Sequence, residues 1–171
     1  EFEKDVYKFK NFLNDVVEKN APLDIHDILQ DTLALLHNST NNIHILEMIS
    51  NMRQYDDSTY AHSINVALIS NLLATWLHMS ETEIYLATQC GLLHDIGKLK
   101  VPDSIIKKPG KLTDAEYNIV KTHPFSGYEI LSKQHLNPHI ANCAMMHHER
   151  CNGSGYPFGL ADEKIDTYAK I

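Results

Sequence analysis

The chain has three cysteines in 171 residues, Cys90, Cys143 and Cys151, an odd number with no CxxC spacing. Neither a disulfide framework nor a structural zinc finger is expected, and a reducing, cytoplasmic setting fits best. A basic excess is lacking too: 15 Lys and Arg stand against 22 Asp and Glu, a net charge of -7 with a pI near 5.8. General binding to nucleic acid or to an anionic membrane surface is therefore not expected, because both need positive charge to meet phosphates. No apolar run approaches the roughly 20 residues needed to cross a bilayer, and the opening EFEKDV is unlike a signal peptide. Period-two alternation is nearly absent, as are internal repeats and low-complexity tracts. What remains is an all-α chain whose 43% hydrophobic content is enough for one compact core. The chain starts without Met and stops in mid-pattern at Ile171, so it is expected to be a piece of a longer protein.

The abundant component is histidine, at 11 residues, and the helical pattern decides which of them count. Phe2, Val6, Phe9, Leu13 and Val16 form an apolar seam on a helix over 1–19, suited either to its own domain or to a second copy in a homodimer. A second helix is expected from Asp24 to His37, then the polar connector His37–Asn42, a short helix from Ile43 to Arg53 and a turn at Asp56 and Asp57. From Thr59 to His78, the residues His62, Val66, Ile69, Leu73 and Trp76 share one helical face, which is read as the inward one. Ser80 and Glu83 form an S-x-x-E capping box for the next helix, which runs up to His94 and Asp95.

Gly91–Lys98, GLLHDIGK, is the centre of the chain. His94 offers a neutral nitrogen and Asp95 a carboxylate able to bridge two cations, a mixture that suits iron, manganese or zinc. Lys98 adds a positive charge one turn away. The stretch Val101–Leu112, VPDSIIKKPGKL, reads as an ordered loop. Thr113 with Glu116 and Ser126 with Glu129 repeat the capping box, with His123 at a helix end because Pro124 disfavours helical geometry before it. Asn137 and Pro138 open a helix to Glu149 that places Ile140, Cys143, Ala144 and His147 on one face beside His148. Asn152–Leu160 is too rich in glycine to be helical, and another element begins at Asp162.

The ordered set His62, His94 with Asp95, His123, and His147 with His148 resembles the HD superfamily of metal-dependent phosphohydrolases. HDIGK at 94–98, VPDSIIKKPGKLT, THP at 122–124, GYEIL at 127–131 and HHERCNGSGYP at 147–157 together are similar to the HD-GYP family. The likeness covers residue 60 to the end, dividing the chain into an N-terminal helical segment and connector at 1–50 and an HD-GYP-type domain at 51–171, incomplete at its C-terminus. It implies an HD-domain helical bundle of about six to eight helices. It also implies a bacterial signalling enzyme that hydrolyses cyclic di-GMP to linear pGpG and on to GMP. Its implied cofactors are two divalent metal ions, iron or manganese, held by His62, His94, Asp95, His123, His147 and His148. Asp95 would bridge them, Lys98 would contact the phosphate, and Gly155, Tyr156 and Pro157 would lie beside the substrate. A diguanylate cyclase of GGDEF type or an upstream sensory domain is the implied protein partner.

Imidazoles are neutral ligands, so a His-rich site leaves its metals more positive charge for an anionic phosphodiester. Lys98 would add to that attraction as charge develops in the transition state. No Ser or Cys has an evident activating partner, so no nucleophilic side chain is expected, and Cys151 reads as a bystander.

Three features depart from the family pattern. Asn152 stands where an aspartate is usual, Ser58 where members with a third metal carry glutamate, and the chain ends before a helix that bears a further metal-binding aspartate. They motivate a catalytically impaired cyclic-dinucleotide sensing or interaction module as one alternative. An HD phosphohydrolase acting on another nucleotide is a second. His26, His37, His44, His78, His135 and His139 are read as solvent-facing or hydrogen-bonded.

Overall fold

A computed structural model describes residues 2–19, 21–37 and 58–171. It is all-α, as the lack of alternation predicts, and its residues form two compact units, Glu1–Leu92 and Leu93–Ile171. The expected helix Ile43–Arg53 and the turn at Asp56 and Asp57 lie outside the described residues.

In the first unit, helix α1 spans Phe2–Lys19, α2 His26–His37, α3 Ser58–Trp76 and α4 Glu81–Leu93. Val6, Phe9, Leu13 and Val16 are buried as the seam predicts. Acidic Glu3 and Asp5 at the start of α1 and Lys19 at its end complement the helix dipole. The seam packs on α2 and α3. The Phe9 ring meets Tyr60 edge-on at 6.2 Å, and the Tyr60 hydroxyl lies 3.3 Å from Asn14 Oδ1. The face expected of α3 is corrected. Tyr60, Ala61, Ile64, Ala67, Leu68, Leu72 and Ala74 are buried, whereas His62, Ile69 and Trp76 are exposed. The helix is apolar nearly all round, so spacing alone could not choose between its two stripes. Small side chains at 61, 67 and 74 lie on the buried stripe, where close packing favours them. The Ser80 box opens α4 as expected: Glu83 N–H donates to Ser80 Oγ at 3.4 Å, and Ser80 N–H to Glu83 Oε2 at 2.8 Å.

The second unit opens with a 3-10 turn, Ile96–Lys100, followed by α5 (Asp103–Ile106), α6 (Asp114–Val120), α7 (His123–Leu131) and α8 (Pro138–Met146). Short 3-10 turns at Asp162–Lys164 and Thr167–Lys170 end the chain. The stretch read as a loop, 101–112, thus contains the single turn α5. The capping box of Thr113 and Glu116 is formed. The box expected at Ser126 is not: α7 already begins at His123, with Thr122 at its N-cap and no side-chain cap. Pro124 explains the earlier start, since near a helix N-terminus its missing N–H costs nothing. Asn137 caps α8 by accepting from His139 N–H at 3.1 Å, and α8 ends at Met146, short of the expected Glu149. The 3-10 turn packs on α7 and α7 on α8, around Ile96, Leu131, Ile140, Ala144 and Met145.

Candidate metal centre

Three segments of the second unit bring their polar side chains to one buried point. His94 and Asp95 precede the 3-10 turn, His123 is the first residue of α7, and His147 caps the end of α8 with His148 behind it. Gly97 makes this convergence sterically possible. A Cβ there would stand 1.9 Å from the His123 carbonyl oxygen and 2.5 Å from Gly127 N, so no side chain fits between the turn and α7.

Asp95 is 2% exposed and His123 fully buried. His123 Nε2 lies 3.3 Å from Asp95 Oδ1, and His147 Nε2 lies 3.6 Å from the same atom. Asp95 Oδ2 is 3.2 Å from His94 Nε2 and 2.6 Å from Lys98 Nζ. One ligand atom each from Asp95, His123, His147 and His148 falls within 4.8 Å of the others.

The tautomers follow from the outer nitrogens. His123 Nδ1 faces Val120 O at 2.6 Å, and His147 Nδ1 faces Ala144 O at 2.9 Å. A carbonyl only accepts, so both Nδ1 atoms carry hydrogen and the neutral rings turn bare Nε2 lone pairs inward. Those two Nε2 atoms are 3.1 Å apart. Two lone pairs and a carboxylate oxygen at such distances repel unless a cation or a proton sits among them. Protonation is disfavoured at two of the rings. Burial is the main cause that lowers the His147 pKa, and burial with the charges of His147 and His123 drives His148 down to about 3. Burial alone would raise the Asp95 carboxyl. The charge of His94 and the close approach of the His123, His147 and His94 rings outweigh it and hold the group well below the usual carboxylate range. A neutral-imidazole and carboxylate donor set of this kind fits a divalent transition metal.

The remaining expected residues take varied places. Lys98 is anchored on Asp95. Tyr156 stacks its ring on His148, with centroids 4.5 Å apart and planes at 18°, and Gly155 and Pro157 flank it in the loop. Burial, with Tyr117 and Asp95 nearby, pushes the Tyr156 hydroxyl up to about 12. His62 lies on α3 in the first unit with its side chain exposed. Asn152 accepts from Ser154 N–H at 3.0 Å and so shapes its own loop. Sequence reasoning missed Glu149, whose carboxylate accepts from Phe158 N–H at 2.7 Å and Leu160 N–H at 2.8 Å. Its place directly after the paired histidines was the available signal.

A family model of the HD domain matches residues 25–171, and the chain belongs to that family. Within it the chain is of HD-GYP type. It is 41% identical over 121 residues to a cyclic di-GMP phosphodiesterase of Pseudomonas aeruginosa, covering 70% of this chain and 29% of that protein. It is 44% identical over 119 residues to a cyclic di-GMP phosphodiesterase response regulator of Xanthomonas campestris, covering 68% and 31%. A 3'3'-cGAMP-specific phosphodiesterase of Vibrio cholerae is 38% identical over 113 residues, covering 66% and 25%. The chain thus spans about a third or less of the length of these relatives. Among the described residues, no helix is long and apolar enough to cross a membrane.

Proposed function

We propose that the protein is a cyclic di-GMP phosphodiesterase that opens the cyclic dinucleotide to linear pGpG, and further to GMP. The inward-facing Nε2 atoms of His123 and His147, 3.1 Å apart beside Asp95 Oδ1, carry this reading. Two iron or manganese ions are the proposed cofactors, with His94, Asp95, His123, His147 and His148 as ligands. A ligand role for His62 is part of the same proposal. Divalent cations, when held by these residues, would lower the pKa of a water and offset charge on the phosphodiester. Asp95 presents both carboxylate oxygens to the cluster. Lys98, partly exposed and fixed at its other side by Asp95, offers N–H donors to a phosphate oxygen. Gly155, Tyr156 and Pro157 form the wall of the site next to His148.

The relatives named for 3'3'-cGAMP make the choice of cyclic dinucleotide the main second reading. A sensing module without turnover is less favoured, since Asn152 closes its loop by its own hydrogen bonds. A diguanylate cyclase or sensory-domain partner follows from the family alone, and so does cytoplasmic placement. The α1 seam that suggested a homodimer is taken up by α2 and α3. The deciding experiment is product analysis of cyclic di-GMP and of 3'3'-cGAMP, incubated anaerobically with the iron- or manganese-loaded protein and with its Asp95→Ala variant. Linear product from the parent alone supports the reading. Intact substrate with metal confirmed in the parent rejects it.

A further inference from the structure

Each imidazole in a metal centre needs something to set its ring plane, usually a hydrogen bond at the outer nitrogen. His123 and His147 obtain theirs from the carbonyls of Val120 and Ala144. His148 differs: among the described residues its ring makes no hydrogen bond. Its neighbours are the rings of His147 at 4.1 Å, His123 at 5.0 Å and Tyr156 at 4.5 Å, and Tyr156 is the near-parallel one.

We propose that Tyr156 is the positioning residue for His148, its ring serving as a wall that fixes the imidazole where the other two histidines use backbone carbonyls. The proposal rests on the metal-centre reading above. The loop around Tyr156 is built to hold such a wall. Tyr156 N–H donates to the His148 carbonyl at 3.2 Å, tying the two residues by backbone as well as ring. A Cβ on Gly155 would stand 2.5 Å from His148 O, Glu149 Cα and Arg150 N alike, so only glycine lets the loop fold back this tightly. Glu149 then grips the far side through the N–H groups of Phe158 and Leu160. Hydroxyl chemistry plays no part in a wall, so the ring alone should matter.

The test is calorimetric titration of Mn(II) into the metal-free protein, with Tyr156→Phe, Tyr156→Leu, Glu149→Gln and His148→Ala variants and the double variants of His148→Ala with Tyr156→Leu or Glu149→Gln. Tyr156→Leu should weaken binding about 10- to 100-fold, as loss of a ligand's supporting partner does, and Tyr156→Phe should bind as the parent does. In the His148→Ala background Tyr156→Leu should add nothing, since its effect passes through that ring. Glu149→Gln keeps the ring and loosens the loop. It should lower affinity less than Tyr156→Leu and lose its effect in the same background, which covers the case of a poorly folded leucine variant. Parent-like affinity in Tyr156→Leu overturns the proposal. So does a Phe variant as weak as Leu, or an effect that persists without His148. A parent that binds no Mn(II) overturns the metal-centre reading and this proposal with it, whereas a binding parent with a flat Tyr156 series overturns the proposal alone.

Discussion

The second unit buries two aspartates among histidines, Asp95 at 2% and Asp166 at 6% side-chain exposure, and they are electrostatic opposites. Asp166 is surrounded by donors. His139 Nδ1 is 2.7 Å and Asn142 Nδ2 3.0 Å from Oδ2, and Tyr168 N–H donates to Oδ1 at 3.0 Å. Its charge is answered within the fold, and it ties the C-terminal turn to α8. Around Asp95, two imidazoles spend their N–H groups outward on carbonyls and bring lone pairs in. Burial of an acid beside histidines is therefore common to both places; the direction of the imidazole N–H bonds sets them apart.

The sharpest test of that contrast is to remove each acid. Asp95→Ala should abolish metal uptake and lower product formation by at least about 100-fold, while Asp166→Asn leaves both near the parent. Equal loss in the two variants, read by metal analysis and product yield, would end the distinction. Gly97→Ala should cost about 3 kcal/mol or more in denaturant unfolding, because a Cβ only 1.9 Å from the His123 carbonyl oxygen forces backbone apart. Manganese at a hundredfold excess over Kd should raise parent stability by about 2.7 kcal/mol and leave Asp95→Ala unmoved in the same thermal melts. Asp166→Ala should cost about 1–3 kcal/mol for the buried donors left unsatisfied, with manganese affinity unchanged by titration. The smallest effect belongs to Glu116, where hydrogen bonding from Lys108 and then from the Thr113 backbone lowers the pKa from 4.5 to about 2. A depressed carboxylate contributes above its unfolded pKa and loses that contribution as pH falls through the folded value. The parent's urea midpoint should therefore exceed that of Glu116→Gln at pH 5, with the gap closing between pH 4.5 and 2.

The sequence made the helices legible where the apolar stripe was one-sided, as in α1, and where a cap had a distinctive spacing, as at Ser80, Thr113 and Asn137. It failed where the pattern was symmetric. α3 carries apolar residues on both sides, so the stripe through His62 was read as buried when the stripe through Ile64 and Leu68 is. Ser126 and Glu129 have the spacing of a capping box, but the proline at 124 had already started α7. At the site, His94, Asp95, His123, His147 and His148 were all named beforehand because each fell at a helix end within a family-like order. The hydrogen bond of each outer nitrogen was not legible, since it depends on which carbonyls the ends of α6 and α8 present. The place of Glu149 after the paired histidines could have singled it out, but not its grip on the loop, because both of its partners are backbone N–H groups, which no side-chain pattern records.

Gly97 also has a mechanical consequence. With its α-carbon seated against the His123 carbonyl, the turn that carries Asp95 and the first residue of α7 share a surface with no compliant side chain between them. Two pieces of chain almost thirty residues apart in sequence are thereby packed backbone against backbone. Separating Asp95 from His123 is then expected to require displacement of the turn and α7 together against α8. For the proposed metal, exchange is then expected to follow the slow breathing of a helix pair rather than the fast rotation of a side chain.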